Sequence, residues 1–306
     1  MASEALKQRF CQDYGCDIRI YEEPYFSDRL ALYDDQFKTL SKWNSFMLSL
    51  SDFDSEDDFF AAYDLAKISA IKYILQSDAF KNFTTYDSTE WQQSPYLSLS
   101  KNSMFYSNVI GKSFFSVSIK DSNYSSLRYF SKSIVDNTDS WKEFIGKFTD
   151  TESIINSEYI EEAVFNGCNV KRIRSYTRAI MSNLLEQLLD GVIDIASIAK
   201  FTHNEIVLDS NNLNIVDVVS KFEQETKIPF NIESFTIVGI YKNGNLRGFA
   251  KKYVNNAIQF IDVHYVDMPA ILRTLKNEPI QDSDLVFEYK GELSKFVKAP
   301  VIEFKE

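Results

Sequence analysis

Two closely spaced turn signals in the last hundred residues restrict the possible folds more than any other feature of the sequence. Asn243-Gly244 separates the apolar segments 235–241 and 246–254, and Asn255-Asn256 separates the second of these from 257–266. Asparagine and glycine tolerate the positive φ angles that tight hairpin turns require. The pattern therefore predicts two consecutive hairpins, which together form an antiparallel meander.

Shorter apolar segments surround the meander. The elements that we expect there are strands at 205–209, 285–291 and 301–304 and helices at 213–226 and 268–276. With the meander they would form a small α+β domain over residues 201–306. The break near 192–204 is the predicted domain boundary, although no linker rich in Pro, Gly or Ser marks it.

The first 195 residues are predicted to form a mainly helical domain. Apolar residues that recur every three or four positions indicate helices at 27–50, 56–81, 139–148, 151–165 and 170–190. The segment from about 85 to 132 is different, since alternating residues at 113–120 and 125–131 suggest short strands. The predicted fold class is α+β: a mainly helical N-terminal region with a small strand-containing segment, followed by a C-terminal antiparallel meander with short helices.

The acidic stretch SDFDSEDDFF at residues 51–60 has the composition of a metal-binding loop but not the spacing of one. A calcium loop of the EF-hand kind needs glycine at its sixth position and glutamate at its twelfth, and this stretch has Asp57 and Tyr63 there. Ser55 followed by Asp58 instead approximates a capping box ahead of an apolar run. The stretch is therefore predicted to begin a helix.

The composition argues against most enzyme classes. The chain of 306 residues has 9 Gly, 6 Pro and 2 His, whereas phosphate and cofactor sites commonly use glycine and proton chemistry at neutral pH commonly uses histidine. The common nucleotide-binding and hydrolase motifs are absent from the sequence. We therefore predict a protein without catalytic activity and without a cofactor.

Charge and cysteine usage narrow the possible partners and compartment. The formal net charge of −11 disfavours nucleic acid and anionic membranes as partners. Cys11, Cys16 and Cys168 are an odd number of cysteines in a long chain, which argues against a disulfide framework, and with His203 and His264 they show no spacing typical of a metal site. No apolar run resembles a signal peptide or a membrane span. These features predict a cytoplasmic location, which would be the host cytoplasm for a viral protein.

One set of residues resembles the active site of a nuclease class. Glu288 and Lys290 in DLVFEYK are two positions apart on a predicted strand, and Asp262 lies at the end of AIQFID. The three positions resemble those of metal-dependent PD-(D/E)xK nucleases, in which an Asp on one strand and Glu-x-Lys on the next hold Mg²⁺. The alternative is a charged edge strand, because such charges discourage edge-to-edge pairing.

Two basic clusters could bind an anion or an acidic partner. The first, Lys171, Arg174 and Arg178, has the i, i+3, i+7 spacing of one helix face. The second lies on the meander beside Tyr253 and consists of Arg247, Lys251 and Lys252. Basic residues among aromatic ones on a sheet are typical of nucleic-acid platforms, although the overall negative charge opposes that use here.

The leading functional hypothesis is a non-catalytic protein that binds another protein or protein complex, or itself as a homo-oligomer. The 25 Phe, 17 Tyr and 3 Trp provide side chains suited to interfaces. The composition, poor in Gly and Pro and rich in Asn, Ser, Phe and Tyr, is similar to that of accessory proteins of AT-rich viruses and phages. This points to an inhibitor of a host defence complex. The alternatives are a virion structural or assembly component, a PD-(D/E)xK-like nuclease and an acidic nucleic-acid mimic.

Overall fold

The computed structural model describes residues 2–209 and 214–306, so the first residue of the helix predicted at 213 lies outside the described part of the chain. That part contains twelve α-helices: α1 (Glu4–Asp13), α2 (Tyr25–Phe37), α3 (Thr39–Leu50), α4 (Glu56–Gln76), α5 (Asp78–Thr85), α6 (Ser122–Phe130), α7 (Trp141–Ile145), α8 (Glu152–Ile155), α9 (Glu158–Asn166), α10 (Val170–Leu189), α11 (Asn214–Thr226) and α12 (Met268–Leu275). It also contains nine strands: β1 (Ser113–Ile119), β2 (Ile198–Phe201), β3 (Glu205–Leu208), β4 (Phe230–Lys242), β5 (Asn245–Tyr253), β6 (Ile258–Ile261), β7 (Val286–Tyr289), β8 (Glu292–Lys295) and β9 (Ile302–Lys305).

Seven of these strands form one antiparallel sheet with the order β2-β3-β1-β4-β5-β6. The long strand β4 pairs with β5 along one edge, while its other edge pairs first with β1 and then, over its last four residues, with β9. Strands β7 and β8 form a separate two-stranded sheet. The predicted α+β class is confirmed, as is the meander β4-β5-β6.

The turns of the meander have the predicted backbone geometry. Asn243 and Gly244 join β4 to β5 with φ angles of 51° and 79°, and Asn256, between β5 and β6, has a φ of 62°. Asparagine and glycine adopt this left-handed region at lower cost than other residues. Local sequence therefore fixes both turns of the meander.

The predicted helix start at Ser55 is also confirmed. The Ser55 hydroxyl accepts a hydrogen bond from the Asp58 backbone N–H (3.1 Å) and donates one to the Asp58 carboxylate (2.6 Å). The helix ends earlier than predicted, however, at Gln76, because Ser77 breaks it and caps α5. The predicted helix 56–81 is therefore two helices.

The prediction of a strand at 125–131 is wrong. Most of it lies in α6, which buries Tyr124 and Leu127 at helical spacing. Ser126 is also buried, and its hydroxyl lies 2.7 Å from that of Thr177 on α10. The buried face of α6 therefore includes a serine that hydrogen-bonds to a neighbouring helix. The alternation of apolar residues could not indicate such a face.

The largest hydrophobic cluster draws residues from both sides of the predicted domain boundary. It includes Phe10 and Phe165 from the N-terminal region and Ile206 and Leu272 from the C-terminal region. Strand β1 comes from the predicted helical domain, yet it lies between β3 and β4 in the main sheet. The division into domains 1–195 and 201–306 stays a prediction.

Candidate functional site

The structure does not give the nuclease-like set the strand arrangement that the sequence suggested. Asp262 follows β6 in the main sheet, whereas Glu288 lies in β7 of the two-stranded sheet, so they are not on neighbouring strands. Lys290 has a φ of 55° in the turn after β7, which ends the alternation that would have placed it on the same face as Glu288. The Glu288 carboxylate accepts a hydrogen bond from the Gly291 backbone N–H within that turn.

The histidines and cysteines show no metal-binding arrangement. Within residues 2–209 and 214–306, no group of three or more His, Cys, Asp or Glu side chains could hold a metal ion. The three cysteines are buried free thiols. Burial and the nearby positive charge of Arg174 lower the pKa of His203, which favours its neutral form.

In the first basic cluster two side chains are exposed and the third is used in contacts within the protein. Lys171 and Arg174 are exposed on α10. Arg178 instead donates hydrogen bonds to the carbonyl oxygens of Phe201 (3.1 Å), Leu97 (3.3 Å) and Leu99, and its guanidinium lies 3.9 Å from the centre of the Phe201 ring. Burial lowers its pKa. Arg178 therefore joins α10 to β2 and to the segment before β1.

The second basic cluster is divided in the same way. Lys251 is buried, with its ammonium 3.4 Å from the Glu205 carboxylate and 4.5 Å from the centre of the Phe235 ring. Lys252 forms an ion pair with Glu306 at 2.6 Å, and Arg247 is exposed. Because Lys251 and its neighbour Lys252 point to opposite faces of β5, they do not share one basic surface.

Sequence reasoning missed Arg172, which lies one position from the predicted basic face. Its guanidinium donates to the carbonyl oxygens of Phe83 (2.8 Å) and Tyr86 and lies 4.8 Å from the centre of the Trp91 ring. The aromatic segment 80–91 was the available signal, since arginine packs well on aromatic faces. Arg172 and Arg178 together bind the end of α5 and the segment that follows it to α10.

A cleft of about 840 Å³ lies between α6 and α11. Four basic and three acidic side chains line it: Lys120, Arg128, Lys132, Lys227, Asp121, Asp139 and Glu223. Arg128 pairs with Asp139 and also donates to the Thr138 carbonyl oxygen at 3.0 Å. The opposite charges nearly balance, so the cleft has no strong preference for an anion or a cation.

Helix α4 presents apolar side chains on two opposite faces. The buried face consists of Phe59, Tyr63, Ala66, Ala70 and Ile74. On the other side, Leu65, Ile68 and Leu75 have exposed fractions of 65%, 55% and 44%. Ala61, one turn before Leu65, and Lys72, between Ile68 and Leu75, are also exposed, which completes a stripe with spacing 4-3-4-3. We call Ala61, Leu65, Ile68, Lys72 and Leu75 the α4 seam.

The charges around the α4 seam are segregated along the helix. The acidic residues Glu56, Asp57, Asp58 and Asp64 lie in the N-terminal half, and the two lysines, Lys67 and Lys72, lie in the C-terminal half. Lys67 forms an ion pair with Asp64 beside the seam. An apolar stripe on the helix thus has charged residues beside it.

Comparisons with protein-family models, with curated proteins and with solved structures find no match to this chain. Among the described helices, none has the length and apolar character needed to cross a bilayer. The α4 seam is the candidate site because it aligns large exposed aliphatic side chains on one face of a helix.

Proposed function

We propose that this protein functions by binding another protein, without catalysis, and that the α4 seam is the contact surface. The observation that carries the proposal is the alignment of three large, exposed aliphatic side chains on one face of one helix: Leu65, Ile68 and Leu75. Single exposed apolar residues are common on protein surfaces, but an aligned stripe is a feature of interfaces.

The apolar side chains of the seam can supply part of the energy that a specific contact needs. Burying the exposed half of a leucine or isoleucine side chain contributes on the order of 1 kcal/mol, so three such residues contribute a few kcal/mol. Asp64 and Lys67 beside the seam supply a polar rim, which excludes wrong partners more than it adds affinity. A helix or an apolar groove of the partner would fit this surface.

The amino-acid composition supports a narrower form of the proposal. A chain poor in Gly and Pro and rich in Asn, Ser, Phe and Tyr is similar to the accessory proteins of AT-rich viruses and phages. In this form of the proposal the protein is virus- or phage-encoded, and its partner is a host defence complex that it inhibits by direct binding.

The test compares affinity purification with wild-type protein and with the double variant Leu65→Glu/Ile68→Glu. The matched control is Val254→Glu/Val297→Glu, which adds the same charge at valines that are 86% and 100% exposed elsewhere. We expect the seam variant to lose the partner that wild type and control retain, with equal thermal stability in all three. A partner retained at wild-type level by the seam variant would overturn the proposal.

A further inference from the structure

We infer that a second copy of the same chain occupies the α4 seam, with its own α4 antiparallel to the first. This inference rests on the proposed function, in which the seam is a protein-binding surface. It adds the identity of one partner and the orientation in which that partner binds. Three features of α4 support it: the spacing of the seam, the charge distribution and the positions of small and large side chains.

The seam has the spacing by which helices pair with each other. Ala61, Leu65, Ile68, Lys72 and Leu75 alternate steps of four and three residues, the repeat that keeps a stripe facing a partner helix in coiled coils. At 1.5 Å per residue the seam is about 21 Å long. A contact of this length is short, so the dimer should dissociate on dilution.

The charges select the antiparallel orientation. A parallel pair would place the acidic N-terminal half of one helix, Glu56 to Asp64, beside the same acidic half of the other. An antiparallel pair instead can place Asp64 of each copy beside Lys72 of the other, which is favourable. The pair also has two-fold symmetry, so each surface is complementary to itself.

The two-fold axis fits beside Ile68, the middle residue of the seam. In that register Asp64 lies opposite Lys72 of the second copy, because both are four residues from Ile68. Ala61 lies opposite Leu75 of the second copy, since both are seven residues away. A small side chain thus faces a large one at each end of the contact, and an acid faces a base between each end and the axis.

The first experiment measures mass by sedimentation from low micromolar to several hundred micromolar protein. Wild type and Val254→Glu/Val297→Glu should rise from the monomer mass of 35.4 kDa toward twice that value. Ile68→Glu should raise the dimer dissociation constant by about tenfold or more, because it places two carboxylates together at the axis. A wild-type monomer at every concentration, or an unaffected Ile68→Glu dimer, would refute the inference.

The second experiment tests orientation with reciprocal charge changes. Asp64→Lys and Lys72→Asp should each weaken the dimer, because each places like charges opposite one another, and the double variant should restore it. Failure of the double variant to restore the dimer would refute the antiparallel register. In a parallel pair the single variants would not weaken association through Asp64–Lys72 contacts between chains.

These results are distinguishable from failure of the proposed function. If the protein is monomeric but Leu65→Glu/Ile68→Glu loses a different captured protein, the seam binds a protein and self-association is refuted. If the dimer forms as expected while a captured protein binds the seam variant normally, self-association is supported and binding of that protein through the seam is refuted.

Discussion

At the scale of single residues, Asp13 is a buried carboxyl group whose burial disfavours the ionised form. Its carboxylate accepts hydrogen bonds from the hydroxyl groups of Tyr63 (2.7 Å) and Ser157 (2.6 Å). Burial raises its pKa from 3.8 to about 6, although both hydrogen bonds and the positive charge of Arg9 oppose the rise. Asp13 therefore makes stability depend on pH in the range where it ionises.

The direction in which stability changes with pH follows from the higher pKa of Asp13 in the folded state. The protonated carboxyl stabilises the folded chain fully below about pH 4, and this contribution is lost as the pH rises through about 6. We expect the free energy of unfolding of wild type to fall by on the order of 2–3 kcal/mol relative to that of Asp13→Asn over this range. Urea unfolding of both proteins from pH 4 to about 8 measures this, and a difference independent of pH would contradict it.

Asp284, Arg29 and Arg273 form a buried charge cluster whose disruption should strongly lower the free energy of unfolding. The Asp284 carboxylate lies 3.0 Å from the Arg29 guanidinium and 2.9 Å from that of Arg273. Because Asp284→Ala leaves buried positive charge unpaired, we expect it to cost about 3–5 kcal/mol in denaturant unfolding. Asp282→Ala removes only an exposed pair with Lys295 and should cost less than about 1 kcal/mol. Equal losses in the two variants would contradict this account.

The sequence shows which residues are basic but not which of them are exposed and able to bind a partner. Arg178 and Lys251 lie in the two predicted clusters, yet each contacts groups distant in sequence, at Leu97 and Glu205. Spacing along a helix or strand predicts a shared face only, since burial is decided by the elements that pack against that face. Lys171, Arg174 and Arg247 remain exposed, so their role in binding an anion or a partner stays a prediction.

At the scale of elements, the predicted helix 27–50 shows where periodicity fails. Its apolar stripe continues at helical spacing through Leu40, but the helix is interrupted at Lys38, which has a φ of 57°. After the break, Leu40 is 40% exposed and Phe46, outside the stripe, is fully buried. The Asp34 carboxylate caps the new helix by accepting from the Leu40 N–H at 2.8 Å. No glycine or proline marks this break, so the sequence pattern could not reveal it.

Lys38 gives a direct test of this junction. A non-glycine residue in the left-handed region costs about 1–2 kcal/mol, which exceeds the roughly 0.5–1 kcal/mol of extra chain entropy that glycine loses on folding. Lys38→Gly should therefore stabilise the protein by up to about 1 kcal/mol, seen as a higher melting temperature. Asn44→Gly, at an exposed position within α3, should lower it. A lower melting temperature for both variants would contradict a break at Lys38.

Helix α4 shows what the sequence could have revealed about the candidate site. The helical spacing that predicts this helix includes one apolar face with Tyr63, Ala66, Ala70 and Ile74. The second stripe, Leu65, Ile68 and Leu75, also has helical spacing, and it lies on the opposite side of the helix. Which stripe faces solvent is decided by tertiary packing: α9 is a neighbour of α4, the face with Tyr63, Ala66, Ala70 and Ile74 is buried, and the second stripe is exposed.

At the scale of the whole molecule, the main sheet joins parts of the chain that are distant in sequence. Strand β1 pairs with β3 and β4 on its two edges, so a fragment that begins at residue 201 lacks the strand between them. One hydrophobic cluster also extends from Leu6 to Leu272. Both features favour folding in a single cooperative unit over independent folding of the two predicted domains.

We therefore expect the two halves of the chain to unfold together in denaturant. All three tryptophans, Trp43, Trp91 and Trp141, precede the predicted boundary, so their fluorescence reports on the N-terminal half alone. Hydrogen exchange of β4 and β5, followed by mass spectrometry, reports on the C-terminal half at the same denaturant concentrations. The two midpoints should coincide, because removing β1 from the sheet exposes the edges of β3 and β4. Two separate midpoints would show that the chain divides into independent domains near residues 192–204.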